Sequence, residues 1–386
     1  MAEERIYLDH NASAPLLSAA REAMVAALDA ANPSSVHAEG RISRRIVEAA
    51  RRDVAELVGA KPEHVVFTSG ASEAAATLLS PEWTMGRAPL RFGRLYVSAA
   101  EHPCILSGGR FPADVVYKIA VNADGLIDLD ALERALAGHD RERGLPLVAV
   151  HAANNETGVI QPFEEIGRIA RTAGATVILD AVQAAGRIPL NISAGYADFF
   201  ILSSHKIGGP KGVGAIVGVS DLMMPRPLIG GGGQEKGHRA GTENVVGIAG
   251  FGAAAREAAA GLAHMDAVRA RRDRLETIIR EAVPGAMIYG CNAPRLPNTI
   301  FFSIPGMKAE TAQIAFDLAG IALSAGSACS SGKVGPSHVL AAMGFGDQVG
   351  ALRVSIGLST TDEEVEAFAE ALKKIAAKRK ERAAAA

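Results

Sequence analysis

At 386 residues the chain exceeds one simple core and suits a large domain with a smaller companion. Hydrophobic residues at 48%, charged residues at 21% and a formal net charge of −2 describe an ordinary globular protein with no positive field for nucleic acid or an anionic membrane. An acidic start, the lack of a bilayer-length apolar run and three scattered cysteines argue against secretion, membrane insertion and a disulfide framework, leaving a reduced, cytoplasmic setting as the expectation.

In chain order, short β-branched runs alternate with alanine-rich amphipathic stretches, the pattern of an α/β protein with a mainly parallel central sheet. The strand candidates are Val65–Phe67, Leu95–Ser98, Leu147–His151, Thr176–Leu179, Phe199–Leu202 and Val213–Val217. Helices are expected over Ser72–Leu79, Leu129–Ala137 and Glu164–Thr172, and a long helical connector over about Val246–Arg280. Beyond it, Asn298–Ile304 and Ala351–Gly357 read as strands and Asp362–Arg379 as an amphipathic helix. The expected division is a large domain at 16–260 and a smaller α+β domain at 261–386, with segment 1–15 packing on the latter.

The residues able to carry chemistry lie at the ends of these runs. Thr68-Ser69-Gly70-Ala71-Ser72-Glu73 is a glycine turn opening a helix, whose free amides suit an anion; a plain helix cap is the competing reading. His102 follows the next strand, where its flat ring could stack on a cofactor or serve a structural purpose. Asn154-Asn155-Glu156-Thr157-Gly158 offers amides to a ring oxygen or a substrate, or is a polar turn. Asp180 ends an apolar strand and could keep a cofactor's ring nitrogen protonated, with Gln183 beside it at a ring oxygen; Asp180 could equally cap a helix. Lys206, in Ser203-Ser204-His205-Lys206-Ile207-Gly208-Gly209, sits on a glycine-rich turn where a desolvated amine can form an imine with an aldehyde cofactor; a lone lysine there would be read as solvated surface. Cys329, in Ser324-Ala325-Gly326-Ser327-Ala328-Cys329-Ser330-Ser331-Gly332, has only small neighbours, as an exposed nucleophile would. Cys104 and Cys291 lack that setting and read as structural. Arg353, on an otherwise apolar strand, could grip a carboxylate with two parallel bonds or anchor a structural ion pair.

Taken together these motifs resemble the fold-type I pyridoxal-phosphate enzymes and, among them, the cysteine desulfurases of the NifS/IscS type. The likeness also takes in Tyr7-Leu8-Asp9-His10-Asn11-Ala12 and Gly231-Gly232-Gly233-Gln234-Glu235 with Arg239-Ala240-Gly241-Thr242. The resemblance implies Lys206 as the residue bound to pyridoxal 5′-phosphate, Asp180 at the ring nitrogen, Gln183 at the ring oxygen and His102 stacked on the ring and moving protons. It implies Ala71, Ser72, Ser203 and His205 around the phosphate, with Thr242 reaching the neighbouring subunit's phosphate in a homodimer. It implies Asn155 and Arg353 at the substrate carboxylate, and Cys329 receiving sulfur from L-cysteine as a persulfide, with alanine released. The implied setting is iron–sulfur cluster or other thio-cofactor biosynthesis with a sulfur-acceptor or scaffold partner, and no metal of the enzyme's own. Alternative readings are a selenocysteine lyase or aminotransferase of the same fold, or a non-catalytic cofactor-binding partner. The chain departs from the family where Ala74-Ala75-Ala76 replace common asparagines and Ser13-Ala14 replace a frequent Thr-Thr.

Overall fold

The computed structural model describes residues 5–326, 336–346 and 350–384, the stretch 379–384 by its backbone alone. The β-branched runs become strands buried on both faces, which is why they read as continuous apolar segments. Val65–Thr68, Thr176–Asp180 and Phe199–Ser203 are buried at every position. In spatial order the large sheet runs Met223–Pro225, Glu82–Met85, Ala88–Ser98, Leu145–His151, Thr176–Asp180, Phe199–Ser203, Gly214–Gly218 and Val65–Thr68, with Val116–Ile119 also paired to Ala88–Ser98.

The centre of this sheet is parallel and both margins are antiparallel. Only the short turn around Lys206 separates Phe199–Ser203 from Gly214–Gly218, too little chain for the dozen or more residues a parallel crossover needs. At the other margin a hairpin turns at Gly86, whose φ of 58° is a left-handed conformation glycine adopts without strain. Residues such as Glu82, Arg87 and Arg91 in that hairpin are exposed, so hydrophobic patterning did not foretell it.

Helices Ala71–Leu78, Leu129–Ala137 and Phe163–Thr172 lie within a residue of expectation. The expected connector is two helices, Val245–Gly261 and Met265–Ala282, joined by a single tight turn at Leu262–His264. By length and composition the stretch 245–282 is apolar enough to cross a membrane, but its most apolar window is 61% buried within the protein, as a core helix should be.

A second, antiparallel sheet orders Met287–Ile288, Thr299–Ser303, Leu352–Ser355 and Ser324–Ala325. Its core joins Phe302, Phe316, Phe368 and Leu372 to Val268 and Leu275. Leu8 lies in the same core, and Ile6–Tyr7 pairs in parallel with Ile321–Ala322. The chain then crosses to the large sheet, where the Ala14 and Leu17 amides donate to the carbonyls of His205 and Gly208.

Candidate active site

The parallel centre of the sheet aims the carboxyl ends of three neighbouring strands at one place, the position where α/β sheets put ligands. His151, Asp180 and Ser203 are the terminal residues of those strands. They open onto a cavity of about 590 Å³ that also receives Ala71, Ser72, His102, Asn155, Gln183, His205, Lys206 and Arg353. Thus most residues singled out in the sequence converge. Thr242 does not line this cavity; it is exposed in an adjoining cleft that shares Ser69, Gly212 and Val213 with it. Cys329 lies outside the described residues.

Lys206 ends the tight turn Ser204–Lys206 that leaves its strand. Its Nζ donates to the carbonyls of Asn11 at 2.6 Å and Ala12 at 2.9 Å, so the N-terminal segment holds the amine over the cavity. Asn11 is a hub the sequence reading left without a role. Its Oδ1 accepts from Asn298, its Nδ2 donates to Thr299 Oγ1, and its carbonyl also accepts from Gln183 Nε2 at 3.1 Å. The second sheet thus meets the Asn11 side chain, while Lys206 and Gln183 meet its main-chain carbonyl.

Asp180 forms the floor. It is 7% exposed, and Oδ1 accepts the Val182 amide at 3.0 Å. Burial drives its carboxyl up to about 6, Glu101 adds to the rise, and the Val182 amide, His151 and Lys206 work against it. His102 N-caps the helix Pro103–Leu106, and its Nδ1 accepts the Cys104 amide at 3.2 Å. Cys104 Sγ lies 3.0 Å from the same nitrogen, so a thiol read as structural in fact borders the cavity. An Nδ1 that accepts leaves the ring proton on Nε2. Burial, followed by Lys206 and His338, lowers the imidazole to about 4, which keeps it neutral near pH 7. Cys291 is remote, partly buried against the core of the second sheet.

At the mouth the helix Ala71–Leu78 points its first amides at the cavity, and first-turn amides have no partner within their helix. Glu73 accepts the Ser69 amide at 2.7 Å and pairs with Arg239 at 3.0 Å, tying this turn to the glycine-rich loop. Ser72 is exposed there, whereas Ser203 is 6% exposed. His205 Nδ1 contacts Ser13 Oγ at 3.2 Å, and burial followed by Lys206 lowers it to about 4. On the wall toward the second sheet, Arg353 is 2% exposed and anchored on Asp9 Oδ1 at 2.8 Å. It donates to the Asn155 carbonyl and Ser324 Oγ, while its Nε is buried without a partner. The ion pair and the carboxylate grip weighed for Arg353 are therefore compatible.

The cavity thus offers a carboxylate at its floor, an amine at mid-depth, a flat imidazole on its side and an anion-holding turn at its mouth. These donors fit a phosphorylated, nitrogen-heterocyclic aldehyde. Among the described residues, no group of three His, Cys, Asp or Glu side chains is arranged to hold a metal ion.

A sequence model of the aminotransferase class-V family matches residues 6–368. A cysteine desulfurase of Frankia sp. is 42% identical over 95% of this chain and 90% of its own length. A cysteine desulfurase of Cereibacter sphaeroides is 41% identical over 96% of this chain and 95% of its own. The solved NifS-like protein of Rickettsia africae superposes with a TM-score of 0.85 at 34% identity, covering 96% of this chain and 99% of that one.

Proposed function

The chain belongs to the aminotransferase class-V family, and on that premise we propose that it is a cysteine desulfurase that uses pyridoxal 5′-phosphate to move sulfur from L-cysteine onto Cys329. The observation that carries this reading is the meeting of Lys206 and Asp180, from adjacent strands, in one cavity. An amine and a buried carboxylate so placed match the two ends of a pyridoxal ring, and the helix turn at Ser69–Ser72 matches its phosphate.

In this reading Lys206 Nζ carries the cofactor and Asp180 faces its ring nitrogen. Gln183 would meet the ring oxygen, and His102 would pack against the ring. Ala71, Ser72, Ser203 and His205 hold the phosphate, and Thr242 serves the phosphate of a partner subunit. When bound, pyridoxal phosphate supplies an electron sink for the substrate α-carbon. The remaining work falls to side chains. Arg353, pre-oriented by Asp9, and Asn155 hold the carboxylate of L-cysteine. The free amine of Lys206 moves a proton at the α-carbon, and His102, carrying its proton on Nε2, is a second donor in the same cavity. The Cys329 thiolate attacks the substrate sulfur, the carbon–sulfur bond breaks, and the carbon gains a proton and leaves in alanine. The balance is L-cysteine plus a thiol giving L-alanine plus a persulfide.

A homodimer fits the exposed loop that carries Thr242, since Leu228 and Ile229 at its start are 43% and 39% exposed. A cytoplasmic site of action and transfer of the sulfur to an acceptor or iron–sulfur scaffold complete the proposal. The test is incubation of the holoenzyme with L-cysteine. Alanine formed in step with transferable sulfur supports the desulfurase; turnover that needs a keto-acid partner and releases no sulfur would mean an aminotransferase instead.

A further inference from the structure

Beside Asp180 stand two buried titratable groups, His151 and Glu101, that the reaction as described does not use. Glu101 is 0% exposed and His151 4% exposed. Glu101 Oε1 accepts the His151 amide at 2.9 Å and stands at an ion-pair distance of 2.7 Å from His151 Nδ1, while that nitrogen and Glu101 Oε2 are both buried without a hydrogen-bond partner. His151 and Asp180 stand opposite each other across parallel strands, so both side chains share a face.

Gln161 determines which His151 nitrogen bears hydrogen. Its Oε1 accepts the Ile127 amide at 2.9 Å, so its Nε2 is the donor, reaching the Gly125 carbonyl at 2.8 Å and His151 Nε2 at 3.2 Å. That amide favours a neutral ring, whereas Glu101 and Asp180, opposing burial, push the imidazole up toward its cation. In both forms Nδ1 keeps its hydrogen, 2.7 Å from Glu101 Oε1. The other charged or titratable groups facing this row are Lys206, near Asp180, and His338, whose Nε2 contacts the Glu101 carbonyl.

We propose that His151 is a positioning residue acting through Asp180: by presenting Nδ1–H to Glu101 it offsets a buried negative charge that would otherwise discourage Asp180 from ionising against the cofactor's ring nitrogen. The inference rests on the pyridoxal-phosphate reading above. Glu101 raises Asp180 and His151 lowers it. Removing the Nδ1 donor therefore leaves Asp180 more readily protonated and the ring nitrogen without a counter-charge.

The experiment compares binding of pyridoxal phosphate and of the analogue with carbon in place of the ring nitrogen to the full chain stripped of cofactor. Wild type should prefer the nitrogen-containing form. His151→Leu should lower that preference about tenfold, the effect of one pKa unit on Asp180, while binding the carbon analogue normally. His151→Asn, whose amide can take the place of Nδ1–H, should keep the preference, and Glu101→Gln combined with His151→Leu should regain it. An unchanged preference in His151→Leu, an equal loss in His151→Asn, or no recovery in the double variant overturns the proposal. Should His151→Leu not fold, Glu101→Gln alone must widen the preference, and no widening overturns it too. A wild type that binds neither molecule defeats the cofactor reading rather than this inference.

Discussion

The floor and the mouth of the cavity are built on opposite principles. At the floor, Asp180, His151 and Glu101 are all at most 7% exposed, and the protonation of Asp180 and His151 is governed by desolvation and by their charged neighbours. At the mouth, Ser72 stands in solvent and the donors are amides of a helix turn whose geometry is local. A fixed charge in a dry site acts strongly and depends on its neighbours; several backbone donors in a wet one share a load. The floor should therefore govern chemistry and the mouth affinity.

Substitutions can break that division, and the largest effect is expected midway between the two. Lys206→Ala should abolish the visible absorbance of the lysine-bound cofactor and cut alanine formation by roughly four orders of magnitude or more, read by spectra and turnover. Asp180→Asn should lower kcat by roughly a hundredfold or more at saturating cofactor, since it removes the charge facing the ring nitrogen during reaction. At the mouth, Ser72→Ala should weaken cofactor binding by roughly tenfold, the range of one hydrogen bond to a charged group, and leave kcat near normal once saturated. A Ser72→Ala enzyme crippled in kcat at saturation would dissolve the distinction.

A smaller, sharper effect concerns stability. The folded-state pKa of Asp180 is raised to about 6 by burial, so the neutral carboxyl is the form folding favours; the cost of ionising it grows as pH rises from the ordinary carboxylate range and is complete above about 6. In the cofactor-free protein, Asp180→Asn should stabilise the fold at pH 8 by at most about 3 kcal/mol, read as a rise in Tm, and the advantage should shrink as pH falls through about 6 and vanish only below about pH 4, the ordinary carboxylate range. His10, His102 and His205 act in the opposite sense. Each is lowered to about 4, chiefly by burial, so their contribution is present above the ordinary histidine pKa and is lost as pH falls towards 4. An Asp180→Asn advantage that is flat across pH would show that the carboxyl is not desolvated as described.

The same contrast explains what could be read from the sequence. Strand ends were legible because apolar runs stop where Asp180 and Lys206 begin, and the Ser69–Ser72 turn because glycine and serine punctuate a helix start. His151 was invisible: it closes the run Leu147–His151 as though it were one more strand residue, and its partner Glu101 is distant in the chain. Asn11 was quoted only as part of a motif, since nothing local reveals that Asn298, Thr299, Gln183 and Lys206 all converge on it. Cys104 lacks the small polar setting of Cys329 and reads as structural, though it lies beside His102 in the chain; the short helix Pro103–Leu106 brings its sulfur within 3.0 Å of His102 Nδ1. Spacing exposes backbone devices, whereas buried charge networks join residues far apart in sequence and emerge only when strands are laid side by side.

The proposed reaction stands or falls on where the sulfur goes. After brief exposure of the holoenzyme to L-cysteine, intact-protein and peptide mass spectrometry should find one extra sulfur atom, on the peptide containing Cys329, with an equivalent of alanine in solution. Cys329→Ser should bind L-cysteine yet release almost no alanine, while Cys291→Ser behaves as wild type. Sulfur carried on Cys104 instead, or near-normal alanine release from Cys329→Ser, would contradict the assignment of Cys329 as the acceptor.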